Sequence, residues 1–260
     1  MDKTNLLRKN SGKQPKLYAI AYLDSLGTTE KIKSKDDVVH LNKLYEIYTL
    51  AVNLAESETR SSKNYSDIKT KIFSDNIVIA KPLRTIPQNK AEDIRCLLDF
   101  VSLFQNNAVI EHSWLIRGGI TIGELFVDKV MIWGKGLIRA YKLESELAFY
   151  PRIILDQDII GYANQFDERY ASEDIDGFYY LDFLNRNNKA EMGKLSKNIK
   201  LSYNQMLEEI KRDDGTYPDK PYQKLQWYKN YVNNWYRLFL NNNDTKDLLS
   251  DAFVDLRRIG

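Results

Sequence analysis

The chain has 260 residues, 43% hydrophobic and 28% charged, an ordinary globular composition with ample length for a core. A formal net charge of +2 is too small to argue for a nucleic-acid or membrane surface, and no apolar run approaches a membrane span. The single cysteine, Cys96, excludes a disulfide framework or cysteine metal cluster, and His40 and His112 are too few and too far apart for a zinc site.

The opening stretch, MDKTNLLRKNSGKQPK, is polar and basic without an apolar centre, unlike a secretory signal. Residues 1–15 are expected to be a flexible N-terminus, and the protein is expected to be cytoplasmic, with any metal held by oxygen ligands. The run Leu17 to Leu23, closed by Asp24, is rich in apolar residues and poor in alternation, as a strand buried on both faces should be. Between 34 and 58, Val38, Leu41, Leu44, Tyr45, Tyr48 and Ala51 follow helical spacing, with Ser34 or Asp36 as N-cap. A polar loop is expected over 56–66. Lys71 to Ala80, KIFSDNIVIA, reads as a β-hairpin with its tip at Ser74-Asp75-Asn76. Lys69, Lys71, Phe73 and Asp75 alternate onto one face, and Ile77, Val78 and Ile79 resume the strand.

A second amphipathic helix is expected over about 90–109. The next strand, WLIRGGITIGELFV (114–127), carries three glycines, which weaken a strand unless a backbone or ligand comes close. A helix follows over about 137–148, then a strand over 151–156, a short helix from 158 and an edge strand at 178–181. From about 188 asparagine, lysine and aromatics dominate, and helices are expected over 190–212, 221–241 and 244–257. Trp227, Tyr228, Tyr231, Trp235, Tyr236 and Phe239 form a stripe that suits core packing, with a partner surface as the other use. This order of elements is that of a ferredoxin-like α+β palm, an antiparallel-rich sheet with helices on one face, plus C-terminal helices.

Two acids stand out. Asp24 ends the first strand and Asp75 occupies the hairpin tip. If these strands are neighbours, the carboxylates meet where two metal ions about 3.5–4 Å apart could serve phosphoryl or nucleotidyl transfer. Each Asp taken alone would equally favour a turn.

In order, YLDSLG, KIFSDN, RGGITIG, WGKGLIRAYKLES and PRI resemble the class III nucleotidyl cyclases over about residues 17–156. The RGGI, SDN, AYKLES and YPRI strings are more similar to the pyrimidine-specific branch, the uridylate and cytidylate cyclases of the Pycsar anti-phage system. The resemblance implies a cyclase catalytic domain over 16–187 and a C-terminal helical extension over 188–260 packed on it. It implies two divalent cations, Mn²⁺ or Mg²⁺, on Asp24, Asp75 and the Ser25 carbonyl. It also implies that the turn through Ser25, Gly27 and Thr28 presents N–H groups to a triphosphate, that Arg117 reaches phosphate, and that Gly119 and Gly123 sit where packing excludes side chains. The site would lie between two head-to-tail copies, so a homodimer is implied, with a separate effector reading the product and no nucleic-acid or membrane partner.

Two departures from the family pattern bear on substrate. Where purine cyclases carry an Asn and an Arg on the helix after WG, this chain has Ile138 and Lys142, and Lys142 keeps the charge without the fork. Arg139, one residue on from Ile138, is the further catalytic candidate. Met131 replaces the acid or hydroxyl that often reads a purine. Lys71, where adenylyl cyclases carry a base-reading lysine, suits a carbonyl oxygen of uracil, with Lys69 as second candidate and Tyr22, Phe73 and Met131 filling the base pocket. The expected product is 3′,5′-cyclic UMP from UTP with release of pyrophosphate. The alternatives are cyclic CMP from CTP, a purine cyclase, and an inactive nucleotide-binding regulatory module.

Overall fold

The computed structural model describes residues 14–56, 65, 67–166, 170–186, 192–240 and 249. Nearly all of the expected N-terminal arm, most of the expected loop at 56–66 and the expected helix over 244–257, Leu249 apart, lie outside the described residues.

The axis of the sheet is β1 (Lys16–Ser25). Tyr18 to Leu23 are all buried, as the apolar run predicts. β1 pairs antiparallel on one side with β3 (Asn76–Pro82) and on the other with β4 (Ile116–Val127). β2 (Lys69–Phe73) completes the expected hairpin with β3. β5 (Ile132–Trp133) folds back on the end of β4, and β6 (Ile153–Leu155) lies parallel to β4. β7 (Ala171–Glu173) and β8 (Tyr179–Leu181) extend the sheet, giving the order β2-β3-β1-β4-β6-β8-β7. The segment expected as an edge strand, β8, is therefore an inner strand, and β7 is the edge beyond it. The β2-β3-β1-β4 portion is the split βαβ arrangement of the ferredoxin-like fold.

Helices follow from the periodicity. α1 (Thr28–Ile32) is short. α2 (Asp37–Glu56), α3 (Pro87–Asn106) and α5 (Gln157–Ala163) bury their apolar faces against one side of the sheet. Ala19, Ala21 and Leu23 of β1 point to that side, and Ile47, Phe100 and Phe104 pack against it. The other side, with Tyr18, Ile20 and Tyr22, meets the short α4 (Lys135–Lys142) through Ala140 and Leu137. α4 can lie close because glycine faces glycine. A Cβ on Gly123 would stand 2.5 Å from the Gly136 Cα, and one on Gly119 would stand 2.3 Å from the Leu143 Cβ. Gly119 and Gly123 are thus explained by close approach of a helix, whereas a Cβ on Gly118 would meet the β1 backbone at the Tyr22 carbonyl, 2.5 Å away.

α6 (Met192–Ile210) and α7 (Asp219–Leu240) form a second core. Tyr203, Tyr228, Tyr231, Trp235 and Tyr236 pack there with Val109, Phe183 and Leu184. From Tyr228 to Tyr236 the aromatic stripe is core, with Trp227 partly buried against it, as its spacing suggests. Arg152, buried at the start of β6, pairs with Asp174 and Asp176, and Asp174 Oδ2 accepts from the Trp227 indole N–H at 2.7 Å. This network fixes α7 to the sheet. No helix among the described residues is long and apolar enough to cross a membrane.

Candidate active site

Strand register decides what meets at the end of the sheet. Asp24 stands opposite Asn76 on β3 and Arg117 on β4. Directly opposed side chains share a face, so Arg117 Nε reaches Asp24 Oδ2 at 2.8 Å. Asp75 lies in the tip between β2 and β3, where Ser74 has φ 57°. Tight hairpin tips need a positive φ, which costs a non-glycine residue roughly 1–2 kcal/mol. The tip is tied down through the Asp75 backbone: its carbonyl accepts from Ser25 N at 3.0 Å and the Tyr48 hydroxyl at 2.5 Å. Asn76 Nδ2 donates to Asp75 Oδ1 at 3.1 Å. Both carboxylates line one cavity of about 450 Å³.

The turn after β1 forms one wall. Ser25 N–H is spent on Asp75, and Leu26 N–H on the Leu115 carbonyl at 2.9 Å. Gly27, at φ 79°, takes the left-handed conformation that glycine tolerates. Gly27 and Thr28 then open α1, where N–H groups have no partner within a helix. Thr28 Oγ1 donates to the Ser25 carbonyl at 2.7 Å, and the Trp114 indole donates to the Leu26 carbonyl at 3.0 Å. Lys31 of α1 lies 4.7 Å over the Trp114 ring and pairs with Glu209 of α6.

The opposite wall comes from the end of α4. At Leu143 the helix widens into a π-helical turn over Leu143–Leu147, with Ala148 N–H donating to the Leu143 carbonyl at 3.0 Å. The expected helix over 137–148 therefore changes its winding midway. Glu144 is buried here, with Oε1 2.7 Å from Arg117 Nη2. Burial pushes the Glu144 carboxyl up to about 7 against the pull of Arg117, with Asp24 and Asp75 adding to the rise. Arg117 thus bridges two acids. Tyr22 packs against Phe73 at 5.9 Å and Tyr141 at 5.4 Å between ring centres. Burial, with Glu144 and Asp24 nearby, pushes its hydroxyl up to about 12.

The cavity brings together Tyr22, Asp24, Ser25, Gly27, Thr28, Asp75 and Arg117. Phe73 borders it through Tyr22. Lys69, Lys71, Met131, Arg139 and Lys142 do not line it. Lys69 and Lys142 are exposed. Lys71 Nζ donates to the Lys129 carbonyl at 2.8 Å, joining β2 to the β4–β5 turn that carries Met131. Arg139 pairs with Asp156 and, at 3.2 Å, with Asp158. Sequence reasoning did not single out Tyr141, Glu144 or Lys224, which also line the cavity. Tyr141 and Glu144 are three residues apart on one helix, a spacing that puts them on one face. Lys224 has no local signal.

The donor set fits a hard divalent cation. Asp24 and Asp75 supply oxygens to one cavity, and the Ser25 carbonyl keeps a lone pair beyond its bond to Thr28. Among the described residues no group of three or more His, Cys, Asp or Glu could hold a metal. Two carboxylates without a full protein cage suit Mg²⁺-like ions, which retain water and share ligands with a substrate phosphate.

No family model and no curated protein matches the chain. Among solved structures, the adenylyl cyclase CyaB from P. aeruginosa is similar at 13% identity and TM-score 0.47, over 65% of this chain and 94% of that one. The monomeric guanylyl cyclase domain of the RhoGC fusion protein from the aquatic fungus Blastocladiella emersonii is similar at 11% identity and TM-score 0.45, over 65% and 95%. The guanylyl cyclase Cya2 is similar at 11% and 0.40, over 64% and 91%. At these values the fold described here rests on its own topology.

Proposed function

We propose that the chain is a nucleotide cyclase that converts a pyrimidine nucleoside triphosphate, UTP before CTP, into its 3′,5′-cyclic monophosphate and pyrophosphate. The observation that carries this is the convergence of Asp24, Asp75 and Arg117 on one cavity beside the Gly27–Thr28 turn. No histidine or cysteine lines that cavity, and an intramolecular attack by the ribose 3′-oxygen on the α-phosphorus needs no side-chain nucleophile. Asp24, Asp75 and the Ser25 carbonyl would hold two divalent cations, which when bound acidify the 3′-hydroxyl and neutralise phosphate charge. Arg117 offers a guanidinium to the phosphates, with Glu144 holding it in place. Tyr22, Phe73 and Tyr141 close the site with aromatic surface and favour the smaller base. Lys71, outside the cavity of its own chain, has three donors, one of them on the Lys129 carbonyl, and in the homodimer the rest would suit O2 or O4 of uracil.

A homodimer belongs to this proposal. Lys142 lies outside the cavity of its own chain, on a helix whose Ile138 and Tyr141 are 59% and 48% exposed, near Trp133 at 61%. A second copy would cover this surface and receive Lys142. Asp75→Ala and Lys142→Ala proteins, each inactive alone, are then expected to regain partial activity when mixed, because one mixed site is intact. Subunits shown to exchange without rescue would place the whole site in one chain. The product in an anti-phage setting would be read by a separate effector protein.

Incubating the protein with each of the four nucleoside triphosphates and Mn²⁺, then weighing the products by mass spectrometry, tests the substrate directly. Cyclic UMP is expected as the main product and cyclic CMP as the second. Mainly cyclic AMP or GMP would end the pyrimidine assignment. Lys71→Ala is expected to lose about tenfold in selectivity, the worth of a hydrogen bond to the base, while metal binding persists. Full UTP preference in that variant would move the base contact to Lys69.

A further inference from the structure

The cavity holds a second base, Lys224, which comes from α7 and not from the sheet. The position of α7 is fixed one turn further on. Trp227 donates to Asp174, itself paired with the buried Arg152, and its ring stacks on Tyr150 at 6.2 Å and 13°. Lys224 and Trp227 are three residues apart and share a helix face, so anchoring one aims the other.

Lys224 is half-buried and forms no salt bridge among the described residues. Its ammonium lies 5.8 Å from the Phe149 ring. It lines the same cavity as Arg117, Asp24 and Glu30, and burial together with the Arg117 charge lowers its pKa against the pull of Asp24 and Glu30. A half-buried ammonium beside a guanidinium is disfavoured by both desolvation and repulsion, and an anion seated between the two relieves both. Asp24 is already held by Arg117. The cavity walls are on balance acidic, with Asp24, Glu30, Asp75 and Glu144 against two bases, so such an anion must arrive with its cations. A metal-bound polyphosphate meets that condition.

Resting on the cyclase proposal, we infer that Lys224 binds the terminal phosphates of the substrate, and hence the pyrophosphate product, so that α7 supplies part of the site in its own chain. Trp227 is a positioning residue for it.

The test uses the full chain and inorganic pyrophosphate with Mg²⁺, followed by titration calorimetry. Lys224→Ala is expected to weaken pyrophosphate binding about tenfold, the effect of losing one charge-assisted hydrogen bond. Lys224→Arg should recover most of it. Lys220→Ala, which removes the same charge from an exposed position one turn earlier, should bind as wild type. In steady state, KM for the triphosphate should rise more than kcat falls. Undiminished pyrophosphate affinity and KM in Lys224→Ala, with wild-type protein still making cyclic product, would overturn this inference alone. Wild-type protein that binds neither pyrophosphate nor any nucleoside triphosphate would overturn the cyclase proposal and this inference with it.

Discussion

Asp75→Ala and Asp24→Asn are each expected to lower cyclic-nucleotide formation by about a thousandfold or more, a barrier increase of roughly 4 kcal/mol. The reason is that each removes an anionic oxygen from the Asp24–Asp75 pair proposed to hold the cations. Folding should survive in both. The hairpin tip is fixed by the Asp75 backbone carbonyl, which accepts from Ser25 and Tyr48 and is unchanged by alanine. In Asp24→Asn, Arg117 keeps its partner Glu144. Product counting by mass spectrometry with Mn²⁺, alongside urea melts, separates the two effects. Two folded variants with full activity would mean the acids serve only their turns.

The second large effect is on stability. Arg152→Ala is expected to cost about 3–5 kcal/mol, measured as a lower urea midpoint, because it strands a buried ion-pair network with one partner gone. Arg152 is 1% exposed, and its two acids are held by it. Asp174 would keep only the Trp227 indole as donor from this network. The change should also reach the cavity, since Trp227 aims Lys224. A wild-type midpoint would show that α7 is held by its aromatic core alone.

Much of this was legible in the chain. The Lys71–Ala80 hairpin declared itself by alternation and a polar tip, and β1 by an apolar run too long to have a wet face. Asp24, Asp75 and Arg117 were found because each sits at a strand end or beside a glycine pair, where local pattern carries meaning. β7 was missed because Ala171-Ser172-Glu173 has neither apolar alternation nor β-branched residues, and without it β8 looked like an edge. The π-helical turn at Leu143 left no trace in spacing, so the inward turn of Glu144 was invisible. Lys224 was illegible for a different reason. Its place depends on how a separate aromatic core docks through Asp174, and no window of sequence around it contains that information.

The glycine pair between α4 and β4 has a mechanical meaning. Where Gly123 and Gly136 touch, no side chain lies between the two backbones to take up a displacement. The helix and strand backbones are therefore in direct contact. Arg117 lies six residues back along β4, roughly 20 Å at strand rise, and it grips both Asp24 and Glu144. An alanine at either glycine would have to push the facing backbone away, and the displaced α4 carries Glu144, the partner of Arg117.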